Sequence, residues 1–297
     1  MLKQRLLSAA IIVPGFLLGL FFMPSWVLVC IMIAVSALMM LEFHRMLNLA
    51  DIPSFRYVCI GCGTAVILAT YLGFIWKPGE DGAVSLARAN AWENIAIACT
   101  VLILLLRQFP QKHNDKPLAT IACNLLCVLY VPFLMNFLLK LAFIGGNADG
   151  TTPLTSTTGP YLVLYVVLAA KLTDAGAFFI GIAVGRHKLI PRLSPGKTWE
   201  GFAGGIATCV IMSVVYFHLV DKNLLGGMVV TTLHAIVLGI VLSLVGMAGD
   251  LAESLLKRAS MVKDSGKSVP GVGGALDVVD SVLFVAPVFY LYVRMAA

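Results

Sequence analysis

MVVTTLHAIVLGIVLSLVGMA, residues 228 to 248, holds no Asp, Glu, Lys or Arg. A helix needs about 20 mostly apolar residues to cross the hydrocarbon core of a bilayer, and this stretch supplies them. The next residues reverse the character of the chain. From Asp250 to Ser281 there are five carboxylates (Asp250, Glu253, Asp264, Asp277, Asp280) and four cations (Lys257, Arg258, Lys263, Lys267). Another apolar run, near 275–295, then begins. The reading is a membrane span, a charged cytoplasmic loop and a second span.

Working outward, similar runs recur near 6–23, 25–41, 57–76, 90–106, 118–143, 160–184 and 202–220, nine in all with the two above. Composition agrees. The 297 residues are 60% hydrophobic and only 12% charged, with mean hydropathy +0.95. That leaves too little polar surface to cover a soluble fold. The expected class is an all-α polytopic integral membrane protein of about nine helices. Lys3 and Arg5 precede the first run like the start of a signal peptide. No small-residue cleavage site follows, so the run reads as a retained helix.

The net charge of +6 does not point to nucleic acid, because cations collect on cytoplasmic loops and orient the chain. With the N-terminus inside, only Lys77, Arg88, Lys222 and Arg294 fall outside, and Lys140 and Lys171 lie within spans. The expectation is N-in, C-out. The seven cysteines all sit in apolar runs. Cys59 and Cys62 form a CxxC with no second pair or His cluster, so they read as small hydrophobes.

Spans one to five carry almost no intramembrane charge, which divides the chain into a scaffold, 1–159, and a catalytic region, 160–297. The latter has cytoplasmic loops at 185–201 and 249–274. In KLTDAGAFFIGIAVGR (171–186), Lys171 and Asp174 share a helix face, and ionisable groups inside a span usually mark a site. In RLSPGKTWEG (192–201), GKT resembles a phosphate loop, but the required glycine five positions before Gly196 is Pro191. What remains is a basic loop whose Ser194, Lys197 and Thr198 can hold phosphate oxygens.

If the span-eight helix continues past Gly249, Asp250, Glu253 and Lys257 line one face. Asp277 and Asp280 open span nine, three apart. Carboxylates gathered at a membrane surface repel unless a cation joins them, and hard oxygen ligands together with phosphates suit Mg²⁺. The neighbouring lysines and arginine fit an arriving anion. The pattern points to metal-assisted phosphoryl chemistry.

SLLKRASMVKDSGKSVPGVGGALDVVD resembles the C-terminal signature of the phosphatidate cytidylyltransferases. KLTDAGAF and SPGKTWEGFAGG resemble two upstream blocks of that family. The resemblance is specific over about residues 170–290. It implies a multi-pass enzyme of a bacterial-type inner membrane, with its site facing the cytoplasm and open to lipid. That enzyme condenses CTP with phosphatidic acid to give CDP-diacylglycerol and pyrophosphate with Mg²⁺. A second, monovalent cation and a homodimer are left open. Carried over by position, Asp250, Lys263, Asp264, Asp277 and Asp280 are the catalytic set, with Asp250, Asp277 and Asp280 as metal ligands. Lys171, Asp174, Ser194, Lys197, Thr198, Lys257, Arg258 and Lys267 form the substrate-binding set. The sequence departs from the family pattern at Val272 for His, Val278 for Arg, Gly196 for Lys and Ala275 for a larger aliphatic. Lys267 is the candidate to replace the lost His and Arg.

Two other functions compete. A CTP-dependent lipid kinase of the dolichol or phytol type shares the C-terminal likeness, but the full S-x-x-K-R-x(4)-K-D run favours nucleotidyl transfer. A transporter needs polar groups reachable from both faces, whereas here they gather on one.

Overall fold

A computed structural model describes residues 14–77, 82–112, 114–145, 158–262, 264–266, 268 and 273–296. Helices carry nearly all of it, because a backbone in lipid must satisfy its own hydrogen bonds. In order they are α1 (14–22), α2 (Ser25–Leu49), α3 (Arg56–Ile75), α4 (Gly82–Gln108), α5 (Pro117–Val128) and α6 (Leu134–Ala142). Then come α7 (Gly159–Val184), strands β1 (Lys188–Ile190) and β2 (Ser194–Thr198), α8 (Trp199–Leu219), α9 (Thr232–Ala259) and α10 (Ala275–Ala296). A five-residue π turn, Leu129–Phe133, contains Pro132 and runs α5 into α6. Among the described residues, eight helices are long and apolar enough to cross a membrane, with α5 and α6 counted as one. The chain is an all-α polytopic membrane protein. The first part of the expected first span, 6–13, lies outside the described residues.

Several helices run further than their apolar runs. α2 continues through Glu42 and Arg45 to Leu49. α9 passes Gly249 and ends only at Ala259, which places Asp250, Glu253 and Lys257 on one helical face. The basic loop 185–201 instead folds into a short antiparallel hairpin, pairing Lys188 with Thr198 and Ile190 with Ser194.

The contacts divide the chain into two compact units. One is Met1–Thr157 with Ala259–Val278; the other is Thr158–Arg258 with Val279–Ala297. The loop after α9 therefore groups with the N-terminal helices.

The first unit is built on buried Met40, Phe43, Ile67, Val131 and Leu139. It also holds more charge than its spans suggest. Glu93 and Lys140 are 2% and 4% exposed and pair at 2.5 Å. Asn136 donates to Glu93 at 2.9 Å and to Thr70 at 2.8 Å. Among the described residues, none of the cysteines joins a cluster of three potential metal ligands.

In the second unit α7 and α8 pack closely through small residues. A Cβ added at Gly204 meets Ile180 Cδ1 at 2.5 Å, so any side chain there forces the helices apart. The aromatic core centres on Tyr165, whose ring faces Tyr216, Phe217 and Phe289 at 5.1, 4.8 and 4.7 Å. Its hydroxyl meets the Ser213 hydroxyl at 2.8 Å, which satisfies the polar tip inside the apolar layer.

Candidate active site

The β1–β2 hairpin sets up one wall. Thr198 ends β2 with extended backbone and caps α8, its hydroxyl accepting from Gly201 N at 3.1 Å. Such a cap contributes about 1 kcal/mol. It also fixes the turn that directs Lys197 towards α9. The Lys197 ammonium lies 2.5 Å from Asp250. At the hairpin tip, Arg258 donates from Nε to the Leu193 carbonyl at 3.3 Å, tying the end of α9 to the strands.

On the face of α9, Asp250 is followed one turn later by Glu253, which is fully buried and ion-paired with Lys257. Asp280 of α10 is 4% exposed. One carboxylate oxygen from each of Asp250, Glu253 and Asp280 lies within 4.8 Å of the others. Two lysines balance two of these carboxylates, while the third draws the set towards a net negative charge. Buried like charges this close are costly unless a proton or cation joins them.

Beside the trio, Ser281 links three groups. Its amide donates to Asp280 Oδ1 at 2.7 Å, and its hydroxyl donates to Asp174 Oδ2 at 3.0 Å. Lys171 donates to that hydroxyl at 3.4 Å and sits 3.7 Å from Asp174. A cavity of about 470 Å³ opens beside Asp174 and Asp250. Asp174, Ser194, Lys197, Thr198 and Asp250 give it polar walls, and Phe178, Ile182, Leu189, Phe202 and Met247 give it apolar ones. Its size suits a small-molecule site, and its mixed lining suits a ligand with a charged head and an apolar body.

Residues 3–296 match the profile of the Cytidylyltransferase family. The chain belongs to that family. Among its relatives are proteins named phosphatidate cytidylyltransferase from Haemophilus influenzae, 30% identical over 98% of this chain and 99% of the relative, and from Bacillus subtilis, 29% identical over 99% and 98%. A protein named uncharacterized protein YnbB from Escherichia coli is 39% identical over 46% of this chain and 43% of its own.

For this cytidylyltransferase-family chain, the second unit brings together Lys171, Asp174, Ser194, Lys197, Thr198, Asp250, Lys257, Arg258 and Asp280 from the sequence reading. Lys263 and Lys267 lie outside the described residues, as does Val272. Asp264 is exposed in the loop of the first unit. Asp277 also belongs to that unit, where its carboxylate accepts Gly274 N at 2.8 Å and Ser265 N at 3.3 Å. It closes the first turn of α10 as an N-terminal acid does.

Three residues were missed. Glu253 shares the helical face of Asp250, and that spacing is its signal in the sequence. Ser281 had only its position after Asp280 to mark it. Glu42 had only its position directly after the apolar run 25–41 to mark it.

Proposed function

We propose that this protein is a phosphatidate cytidylyltransferase, moving CMP from CTP to the phosphate of phosphatidic acid. A phosphatidate oxygen bonds to the α-phosphorus of CTP, the bond from that phosphorus to the α–β bridging oxygen breaks, and pyrophosphate leaves. The observation that carries the reading is the Asp250–Glu253–Asp280 trio beside Lys197, within a chain matched over 3–296 by the Cytidylyltransferase family.

The nucleophile explains the composition of the site. A phosphomonoester carries about −1.5 to −2 charge at neutral pH, so no base is needed to create the attacking oxyanion. The task left to the protein is to hold two polyanions in line and offset their charge. Lys197 serves as the ammonium that meets a phosphate at the polar end of the cavity. Lys171, fixed by Asp174 and Ser281, provides a second. Thr198 holds the turn, and Arg258 anchors the hairpin carrying Ser194 and Lys197. Phe178, Ile182 and Phe202 offer acyl chains an apolar wall.

The clustered hard oxygen donors fit Mg²⁺, with Asp250, Glu253 and Asp280 as the holding residues and Lys197 and Lys257 moderating their charge. When bound, the metal supplies charge neutralisation at the phosphates. In this reading Asp277 shapes the loop rather than holding metal. The protein sits in a bacterial inner membrane with its N-terminus and site in the cytoplasm, as the cation distribution favours. Purified protein given CTP, phosphatidic acid and Mg²⁺ should yield CDP-diacylglycerol by mass spectrometry. Absence of that product with all three present refutes the assignment.

A further inference from the structure

Glu42 lies near the end of α2, in a helix that reads as scaffold, yet its carboxylate is 4% exposed and takes four hydrogen bonds. Oε1 accepts from the Ser268 hydroxyl at 2.6 Å and from Ala275 N at 2.9 Å. Oε2 accepts from the Ser265 hydroxyl at 3.0 Å and from Leu276 N at 2.9 Å. Among the described residues, every donor belongs to the segment between α9 and α10 or to the first turn of α10. The partners are 223 to 234 residues away in sequence.

Two carboxylates thus share the N-terminus of α10. Its first amides have no partners within the helix, and its dipole favours negative charge there. Asp277 takes Gly274 N while Glu42 takes Ala275 N and Leu276 N. Ser265 is held twice, through its hydroxyl by Glu42 and through its amide by Asp277. The backbone at Gly274 passes the carboxylate so closely that a Cβ there meets Glu42 Oε2 at 2.5 Å. A carboxylate used only to fill space in α2 needs none of this. Buried charge is kept where it is fully bonded.

We propose that Glu42 is a positioning residue for nucleotidyl transfer, anchoring the loop that carries Asp264 and fixing the start of the helix that continues to Asp280. This rests on the cytidylyltransferase reading above. Glu42 touches no substrate; it acts through the loop.

The test is Glu42→Gln in the full-length protein, with Glu42→Asp beside it. Each carboxylate oxygen serves one hydroxyl and one backbone amide. A hydroxyl can turn to accept from the new amide nitrogen, but the N–H of Ala275 or Leu276 cannot. The expected result is kcat/KM down about 10- to 100-fold, as when an outer-layer partner of a site is lost. Amide exchange across 259–278 should quicken while other helices stay at wild-type protection. Glu42→Asp, which keeps the charge, should recover part of the activity. If Glu42→Gln fails to accumulate, Ser265→Ala with Ser268→Ala carries the test, since the carboxylate retains both backbone donors. That variant should show faster loop exchange and a smaller loss of kcat/KM. Kinetics within twofold of wild type in whichever variant accumulates, or unchanged loop exchange, overturns the proposal. A wild-type protein that makes no CDP-diacylglycerol defeats the functional reading instead, and the exchange measurement still judges the anchor.

Discussion

Asp280→Asn is the most informative change at the carboxylate trio. The amide matches the carboxylate in size, and its oxygen can still accept from Ser281 N, which lies 2.7 Å from Oδ1 in the native chain. What changes is the charge. Two unit charges 4.8 Å apart repel by about 3.5 kcal/mol at an effective dielectric constant of about 20. Asp280 faces two such neighbours, whose own repulsion is relieved by Lys197 and Lys257. Removing its charge should therefore leave the metal-free protein at least as heat-stable as wild type. In the proposed mechanism the same change removes one of the carboxylates that would hold Mg²⁺. A loss of about 100- to 1,000-fold in kcat is expected, or about 3–4 kcal/mol of transition-state stabilisation. The half-saturating Mg²⁺ concentration should rise. The assay is turnover across a Mg²⁺ titration, with thermal unfolding in detergent with and without the metal. The reasoning is refuted by an Asp280→Asn protein with near-normal turnover and an unchanged Mg²⁺ response. A metal-free variant markedly less stable than wild type counts equally against it.

Other consequences are open to direct measurement. Lys197→Ala should raise KM for CTP or phosphatidate about tenfold or more while leaving expression intact, read from initial rates against each substrate; unchanged constants remove Lys197 from the binding set. Gly204→Leu places atoms where Ile180 already lies, so thermal unfolding should show a loss of several kcal/mol by overpacking. Cysteines placed at Lys188 and Lys222 should be labelled from opposite sides of the membrane, the first from the cytoplasm; labelling from one side contradicts the N-in topology.

The helices were legible because each presents an apolar run long enough to span lipid. Their ends were not. The run in α2 stops near Leu41, but the helix goes on through Glu42, whose charge finds partners in Ser265, Ser268, Ala275 and Leu276. The sequence shows 185–201 as a basic cytoplasmic loop, and Pro191, Pro195 and Gly196 hide a two-residue pairing that needs both strands to form. Within the site, spacing along one helix found Asp250, Glu253 and Lys257 as a face, and Lys171 with Asp174 as a pair. Spacing alone does not reveal the different settings of Asp277 and Asp280. Both open α10, but Asp277 is taken by loop amides and Asp280 by the carboxylate cluster. The role of Glu42 leaves no local pattern, because its hydrogen bonds reach over more than 200 residues.

The central claim is that the bond made here is to the α-phosphorus of CTP. The direct measurement is parallel incubation of purified protein, phosphatidic acid and Mg²⁺ with CTP labelled at either the α- or the γ-phosphorus. The account predicts label in the lipid product from α-labelled CTP alone, with the γ-label released as pyrophosphate. Label in the lipid from γ-labelled CTP, with CDP left behind, is the outcome of a lipid kinase and contradicts it.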